Sequence, residues 1–168
     1  RRKQEMENNE IGEYRGVYRY LSNYWIFENP VIYQGFEYYS VENAYVAAKT
    51  TDESLWLKIQ AMTPGKAKAE GKRIFAEELS RNPGWCDEYR LILMKDLLVQ
   101  KFTRNPELTE KLIATNPAYL KEGNKHHDNF FGVCTCGNCP AENMRAGGPE
   151  NNLGKLLMDV REYLAKRL

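Results

Sequence analysis

The sequence predicts an α+β fold, a mostly helical single domain with a small set of short β-strands, and three successive stretches of the chain carry this prediction. Residues from Tyr14 to Tyr39 are rich in aromatic and β-branched side chains and are broken by turn-forming pairs, which is typical of short strands joined by turns. From Ser40 to Thr115 the apolar residues recur at helical spacing. The remainder of the chain combines two short candidate strands, a loop and a final helix.

Five helices are predicted in the second stretch, because each segment opens with a capping residue, a proline or an acidic first turn. The segments begin near Ser40, Asp52, Pro64, Trp85 and Asn105. The fourth segment carries an apolar stripe that is wide enough for a central buried helix. The stripe consists of Leu91, Ile92, Met94, Leu98, Val99 and Phe102.

The third stretch begins with two candidate strands, residues 118–122 and 129–133, and continues as a loop rich in Cys, Gly and Pro up to Pro149. A last helix is predicted from Asn151 to Leu168, with Lys and Arg near its end, where the helix dipole favours cations. Gly154 lies inside this helix at a local cost of up to about 1 kcal/mol. This cost indicates a packing or ligand requirement at that position.

Length, charge and hydropathy restrict the class of protein. The 168 residues fit one domain, and we predict a flexible segment over residues 1–13 and a single domain over residues 14–168. The formal net charge is +1, so bulk charge does not favour binding to nucleic acid or membrane surfaces. Apolar runs stop far short of the roughly 20 residues that a membrane-spanning helix needs. With only four cysteines, we expect a soluble protein of the reducing cytoplasm that does not bind membranes.

Three of the cysteines form a C-x-C-x-x-C loop, and two histidines lie a short way upstream. These residues are Cys134, Cys136 and Cys139, with His126 and His127. Thiolate and imidazole are the ligands of tetrahedral zinc, but structural zinc sites normally show two separated ligand pairs, so the fourth ligand would have to be a histidine or Cys86. A turn-rich loop with reduced thiols is the alternative. We assign no metal ligand and no cofactor from the sequence.

The helix that begins at Ser40 carries the first candidate chemistry. Glu42, Tyr45 and Lys49 share one face at helical spacing, so a carboxylate, a phenol and an ammonium group could converge on a pocket. Alternatively, Glu42 only complements the helix N-terminus and Lys49 is a solvated surface charge. The spacing alone leaves both interpretations open.

A basic stretch follows at the start of the third predicted helix. Between Lys66 and Arg73 there are four basic residues against one acidic residue. Such a segment could hold a phosphate with its cations and its helix N-terminal N–H groups, although a solvated helix face is the more common outcome.

Asp128 is the next candidate, because it precedes two aromatic residues and a glycine that allows close backbone approach, Phe130, Phe131 and Gly132. Other reaction classes lose support. The sequence contains no G-x-G-x-x-G, Walker A, H-E-x-x-H or G-x-S-x-G motif, which disfavours dinucleotide oxidoreductases, P-loop proteins, zincins and serine hydrolases.

Taken together in order, short motifs over residues 16–164 resemble the NADAR superfamily, the YbiA-like proteins. The matching motifs include Leu21-Ser22-Asn23-Tyr24, Val41-Glu42-x-Ala44-Tyr45-x-Ala47-x-Lys49, Thr63-Pro64-Gly65-x-Ala67, Gly71-x-Arg73, Trp85, Met94, Lys101-Phe102, Leu120-x-Glu122, Asp128-x-Phe130-x-Gly132 and Asn152-Leu153-Gly154-Lys155-Leu156-Leu157-Met158.

The resemblance implies an enzyme that hydrolyses N-glycosidic bonds of ribosyl compounds and needs no cofactor. YbiA-like members act on phosphoribosylamino-pyrimidine intermediates of riboflavin synthesis, and other members remove ADP-ribose from guanine bases. The implied partner is therefore a small-molecule ribosyl nucleotide, with ADP-ribosylated nucleic acid as an alternative.

The resemblance also implies roles for individual residues. Glu42 and Asp128 are the implied catalytic carboxylates, one acting on the ribosyl cation and water and the other on the ribose hydroxyls or a proton, with interchangeable roles. The implied substrate-binding residues are Asn23, Tyr24, Tyr45, Lys49, Arg73, Trp85, Phe131, Gly132 and Asn152.

Two departures from the family pattern keep other functions open. Asn43 stands where members usually have His, and Phe131 where they usually have Trp. A non-catalytic module that binds ADP-ribose or NAD is the first alternative. An interaction or nucleic-acid-binding protein organised by a zinc loop is the second.

Overall fold

The computed structural model describes residues 9–168 as six α-helices, six short strands and two 3₁₀ helices. The α-helices are α1 (Val41–Ala47), α2 (Glu53–Gln60), α3 (Pro64–Ala76), α4 (Asp87–Arg104), α5 (Pro106–Ala114) and α6 (Asn152–Ala165). The strands are β1 (Glu10–Ile11), β2 (Val31–Tyr33), β3 (Phe36–Tyr38), β4 (Tyr119–Leu120), β5 (Gly123–Asn124) and β6 (Val133–Cys134), and the 3₁₀ helices are Gly16–Leu21 and Ala141–Asn143.

The chain divides into two compact units. We call Asn23–Glu107 the helical unit, and the segment up to Ser22 together with Leu108–Leu168 the terminal unit. Within residues 9–168, no helix combines the length and the apolar character that crossing a membrane requires.

Helix α1 is the centre of the helical unit and contacts α2, α3, α4 and the β2–β3 hairpin. It begins where the sequence predicts, because Oγ of Ser40 accepts a hydrogen bond from N–H of Asn43 at 3.0 Å. Ala44 and Ala47 are fully buried, and their small side chains allow neighbouring elements to approach closely. The other helices of this unit also begin at or just after their predicted starts.

The apolar stripe of α4 forms part of the core, as predicted, but it is narrower than the sequence predicts. Met94, Leu98 and Phe102 are buried, but Ile92 is 65% exposed, so α4 is an amphipathic helix that packs with one face. The shorter helix α1 is buried nearly all round and takes the central position.

The aromatic stretch from Tyr14 to Tyr39 contains one hairpin, β2–β3, in which Val31 pairs with Tyr38. Its turn is formed by Gln34 and Gly35, which both have positive φ, at 51° and 81°. The part of this stretch that precedes the hairpin forms the 3₁₀ helix Gly16–Leu21 of the terminal unit rather than a strand. The chain turns at Gly16 (φ 57°), and its backbone hydrogen bonds then join residues three apart.

The terminal unit contains two parallel ladders, β1–β4 and β5–β6, and α6 packs against β4. Strand β1 lies inside the segment that the sequence predicts to be flexible. It is held by its ladder and by burial of Ile11, whereas residues 1–8 lie outside the described residues.

The two candidate strands of the third stretch are shorter than the sequence predicts. The first is reduced to Tyr119–Leu120, and of the second only Val133 joins a ladder. Residues 129–132 form a turn instead, because the side chain of Asp128 accepts hydrogen bonds from the backbone there.

Close packing of α6 against β4 requires glycine at position 154. A Cβ atom at this position would collide with the backbone oxygen of Leu120 and would come within 2.6 Å of the side chain of Asn151. The absence of a side chain therefore lets α6 lie directly against β4.

Candidate functional site

A lysine surrounded by aromatic rings is the most distinctive feature of the helical unit. Nζ of Lys49 lies 5.4 Å from the ring centre of Tyr45, 5.5 Å from that of Phe75 and 5.9 Å from that of Trp85. The rings also contact one another, with Tyr45 and Trp85 edge to face at 5.1 Å. Cations at such distances are attracted by the negative faces of aromatic rings. We call Glu42, Tyr45, Lys49, Phe75 and Trp85 the Lys49 cluster.

Three elements position this cluster. Tyr45 projects from α1, Phe75 from α3, and Trp85 lies just before α4. Lys49 follows the end of α1, and its carbonyl oxygen accepts a hydrogen bond from N–H of Asn82 at 2.8 Å. This bond fixes the backbone from which the lysine side chain reaches the rings.

Gly71 of α3 is buried beneath Lys49. A Cβ atom on Gly71 would lie 3.1 Å from Nζ and 3.3 Å from Cδ of Lys49. Such contacts are tighter than ordinary van der Waals separations. The glycine therefore allows α3 to approach the lysine.

The surroundings of Lys49 disfavour its charged form. Burial lowers the pKa of Lys49, and the nearby cations Arg90, Lys68 and Lys72 lower it further, whereas Glu42 opposes the shift. The alternative of a solvated surface charge is wrong for this residue. An anion bound beside Lys49 would stabilise the ammonium ion.

Glu42 and Tyr24 lie on the same side of the helical unit as Lys49. Glu42 is half-buried in the first turn of α1, and its N–H donates to the carbonyl of Asn23 at 3.0 Å. Burial, followed by the charge of Glu42, raises the pKa of Tyr24 to about 12. Nζ of Lys68 lies 6.0 Å from the centre of the Tyr24 ring.

Arg90 is a member of the site that the sequence did not predict. Its Nε donates to Oη of Tyr45 at 2.9 Å, and its Nη1 pairs with Asp87 at 2.9 Å. The only sequence signal is its position soon after Trp85 at the start of α4. The bond to Tyr45 joins residues far apart in the chain, so local spacing could not reveal it.

Arg73 is not brought to the Lys49 cluster. Its guanidinium group pairs with Glu77 at 3.1 Å and also with Glu70, and its side chain is exposed. On the same helix, Gly71 faces Lys49, and a residue two positions further along points to a different side.

Asn23 has an unsatisfied buried oxygen. Its Nδ2 lies 3.7 Å from Sδ of Met94, while Oδ1 has no hydrogen-bond partner among residues 9–168. A buried acceptor without a donor costs about 1 to 3 kcal/mol, so such an atom is a candidate for contact with a ligand.

Asp128 lies in the terminal unit and organises a turn there. Its Oδ1 accepts hydrogen bonds from N–H of Phe130 at 3.0 Å and of Phe131 at 2.9 Å. The two phenyl rings pack edge to face with centres 4.8 Å apart. One carboxylate oxygen of Asp128 is therefore committed to backbone structure.

Gly132 ends this turn and cannot carry a side chain. A Cβ atom there would collide with Oε2 of Glu122 and would approach Nδ2 of Asn124 at 2.6 Å. Nδ2 of Asn124 also donates to Oε2 of Glu122 at 3.0 Å. Glu122 is thus a second half-buried carboxylate near Asp128, to which the sequence analysis gave no role.

Asn152 begins α6 next to the same turn. Its N–H donates to the carbonyl of Phe130 at 3.1 Å, and its Nδ2 is buried without a hydrogen-bond partner among residues 9–168. Both asparagines of the predicted pocket therefore carry an unsatisfied polar atom, each in its own unit.

The cysteine loop meets one of the two candidate histidines. The ligand atoms of the group all lie within 4.8 Å of one another, and the group consists of His127, Cys134, Cys136 and Cys139. His126 is not part of it among residues 9–168. Cys86 is an exposed thiol at the start of α4.

Comparisons with known proteins agree with this architecture. The family profile described as the NADAR domain matches residues 12–165. The NMR structure of the E. coli protein YbiA is similar, with a TM-score of 0.68 and 24% sequence identity, covering 94% of this chain and 84% of that one. This likeness confirms the α+β fold class. No curated protein matches the chain.

Proposed function

Because the chain belongs to the NADAR family, we propose that it is a hydrolase that cleaves the N-glycosidic bond between ribose and a base or amine. The substrate is a phosphoribosyl or ADP-ribosyl small molecule, with an ADP-ribosylated guanine of nucleic acid as the alternative. The observation that carries the proposal is the Lys49 cluster, in which Glu42 lies near aromatic rings and a lysine whose pKa is lowered by burial.

Cleavage of an N-glycoside passes through a ribose with oxocarbenium character, so a carboxylate is needed to stabilise positive charge and orient water. Glu42 fits this role because it is half-buried and fixed at the start of α1. Its carboxylate acts on the substrate from a rigid helix rather than from a loop.

The cations of the site suit a phosphate. Lys49, Lys68 and Arg90 lie on the side of the helical unit that carries Glu42. Burial lowers the pKa of Lys49, and repulsion from the neighbouring cations lowers it further. A phosphate group would relieve this repulsion through charge-assisted hydrogen bonds. Tyr24 and Trp85 offer ring faces to a base, and such stacking contributes about 1 to 3 kcal/mol per base in nucleic-acid binders.

Asp128 is the second proposed catalytic carboxylate, on the strength of its place in the family motif. Its proposed role is to bind the ribose hydroxyls or to transfer a proton. Because Oδ1 is used by the turn, the chemistry falls to Oδ2.

The test is a chromatographic assay of base release. The protein is presented with a phosphoribosylamino-pyrimidine, NAD, ADP-ribose and ADP-ribosylated guanosine, in wild-type form and as Glu42→Gln. Glu53→Gln is the matched control, since Glu53 is an exposed carboxylate in the first turn of the next helix. We expect release from one substrate, its loss in Glu42→Gln and its retention in Glu53→Gln.

A binding module without turnover is the second candidate, and Asn43 favours it. Where the resemblance leads us to expect a histidine, Asn43 is buried and donates to the carbonyls of Ile59 at 2.9 Å and Met62 at 2.8 Å. Its side chain is thus structural and offers no acid or base. Absence of base release together with a rise in Tm on adding ADP-ribose would establish this second function.

A further inference from the structure

Four side chains of the terminal unit, those of His127, Cys134, Cys136 and Cys139, lie close enough together to bind one metal ion. Sγ of Cys136 lies 3.4 Å from Nδ1 of His127 and 3.5 Å from Sγ of Cys139, and Cys134 completes a group with all ligand atoms within 4.8 Å. Zinc–sulfur bonds of about 2.3 Å and zinc–nitrogen bonds of about 2.0 Å in a tetrahedron separate the ligand atoms by roughly 3.5 to 3.8 Å. The shortest separations in the group are therefore close to those around one zinc ion.

The backbone of the loop is shaped to present these sulfurs. Gly137 has a positive φ of 78°, which lets the chain turn between Cys136 and Cys139. N–H of Asn138 points at Sγ of Cys136 at 3.4 Å. Hydrogen bonds to sulfur from the surrounding shell are the usual way in which proteins orient and stabilise metal-bound thiolates.

The buried side chain of Asn129 forms hydrogen bonds to two cysteines of the group. Nδ2 of Asn129 donates to Sγ of Cys139 at 3.4 Å, and Oδ1 of the same residue accepts from N–H of Cys134 at 2.9 Å. His127 has a φ of 69°, a conformation that non-glycine residues adopt at a cost. Coordination by its ring is a reason for the fold to maintain this conformation.

We propose that His127, Cys134, Cys136 and Cys139 bind one zinc ion in a closed structural site. Four protein ligands complete a tetrahedron, so no position remains for water or substrate, and the ion has no part in glycoside cleavage. Binding converts the three thiols to thiolates and releases their protons to the solvent.

The position of the site gives the ion a structural task. Cys134 belongs to β6, which pairs with β5, and Oδ1 of Asn124 in β5 accepts hydrogen bonds from N–H of His126 and Asp128 at 3.2 Å each. The ion would thus join the two ends of a loop that contains the Asp128 turn. Its removal should loosen that turn while leaving the helical unit folded.

The test measures metal directly and does not depend on enzymatic activity. The full chain is purified under reducing conditions without chelator, and its zinc content per chain is measured by inductively coupled plasma mass spectrometry. The metal-free protein is then titrated with Co²⁺. We expect about one zinc per chain, and a Co²⁺ spectrum with the sulfur-to-metal charge transfer and intense visible bands of a tetrahedral thiolate site.

Two matched pairs of variants identify the ligands. His127→Asn and Cys136→Ser should each weaken Co²⁺ binding at least tenfold, whereas His126→Asn and Cys86→Ser should bind like the wild type. His127→Cys guards against misfolding, because it keeps four ligands and should retain a tetrahedral spectrum with stronger charge transfer. Substoichiometric zinc with no Co²⁺ spectrum, a disulfide between Cys136 and Cys139 in the reduced preparation, or equal binding by His127→Asn and His126→Asn would overturn the proposal.

Discussion

Gly71 lies directly beneath Lys49, where a methyl group would make contacts tighter than ordinary van der Waals separations. A Cβ atom at position 71 would approach Nζ of Lys49 at 3.1 Å and Cγ2 of Val46 at 3.3 Å. We expect Gly71→Ala to push the ammonium group by a few tenths of an ångström and to lower kcat/KM about tenfold, because misplacement of a charged group of the site weakens transition-state binding. Steady-state kinetics together with Tm measures both effects.

Gly65 is the control for this substitution, since it lies in the first turn of the same helix with open space around its Cα. Gly65→Ala should leave kcat/KM unchanged and should stabilise the protein by up to about 1 kcal/mol, because alanine loses less backbone entropy on folding. Equal activity in both variants would show that the Gly71–Lys49 contact does not matter for catalysis.

Lys68 and Arg73 are basic residues of the same helix with different surroundings. Lys68 approaches Tyr24, whereas Arg73 is already paired with Glu70 and Glu77. We expect Lys68→Gln to raise KM for a phosphorylated substrate about fivefold, corresponding to about 1 kcal/mol of lost interaction, and Arg73→Gln to change it little. KM should be measured at low ionic strength. A larger rise in KM for Arg73→Gln than for Lys68→Gln would assign the phosphate to Arg73, as the family resemblance implies.

Local features of the fold could be predicted from the sequence, and the contacts between distant segments could not. Ser40 caps α1 as predicted, because the cap involves only neighbouring residues. The bond from Arg90 to Tyr45 joins two helices, and no local pattern encodes it. The family resemblance implies Arg73 as a substrate-binding residue, but the approach of Gly71 to Lys49 shows which face of α3 turns towards the Lys49 cluster.

The cysteine loop illustrates the same limit. The sequence offered Cys134, Cys136 and Cys139 as possible zinc ligands but did not distinguish His126 from His127, because the two histidines are adjacent in the chain. In the structure the ring of His127 lies within 4.8 Å of the three sulfur atoms, and hydrogen bonds from N–H of His126 and Asp128 to Asn124 of β5 hold this segment. A similar long-range constraint, the carbonyl of Leu120, explains the glycine of α6.

Lys101 should make stability depend on pH. The side chain is fully buried on α4, and burial lowers its pKa from 10.5 to about 7. In the unfolded chain the ordinary pKa returns, so between pH 7 and 10.5 the unfolded state binds more protons than the folded state. The free energy of unfolding should therefore rise with pH in this window, by up to about 1.4 kcal/mol per pH unit, and should fall as pH drops towards 7.

The comparison with Lys101→Met isolates this contribution, because methionine has a similar length and no charge. Urea unfolding at several pH values should give a shallower dependence for the variant than for the wild type. If the two proteins show parallel curves, Lys101 is charged in both the folded and the unfolded state over this pH range, and the pKa shift is absent.

Gly154→Ala should destabilise the terminal unit by about 2 to 3 kcal/mol. The added methyl group would collide with the backbone oxygen of Leu120, which cannot move without breaking the packing of α6 on β4. Lys155→Ala is the control at the next, exposed position and should remain within about 0.5 kcal/mol of the wild type. Chemical denaturation measures both, and comparable stability of the two variants would contradict the close contact.

Asp128 combines a structural and a proposed catalytic role, and two substitutions separate them. Asp128→Asn keeps an oxygen that accepts from N–H of Phe130 and Phe131, so the turn and the stability should persist. Asp128→Ala removes the acceptor and leaves two backbone donors of a part-buried turn unpaired, at a cost of about 1 to 3 kcal/mol.

Base release should disappear in both variants if the carboxylate acts on the substrate. The decisive measurement is therefore the turnover of Asp128→Asn at a temperature well below its Tm. A stable and fully active Asp128→Asn would restrict Asp128 to the turn, since the amide preserves the hydrogen bonds to Phe130 and Phe131 but can neither donate a carboxyl proton nor stabilise positive charge. A stable and inactive variant would assign the chemistry to the second carboxylate oxygen.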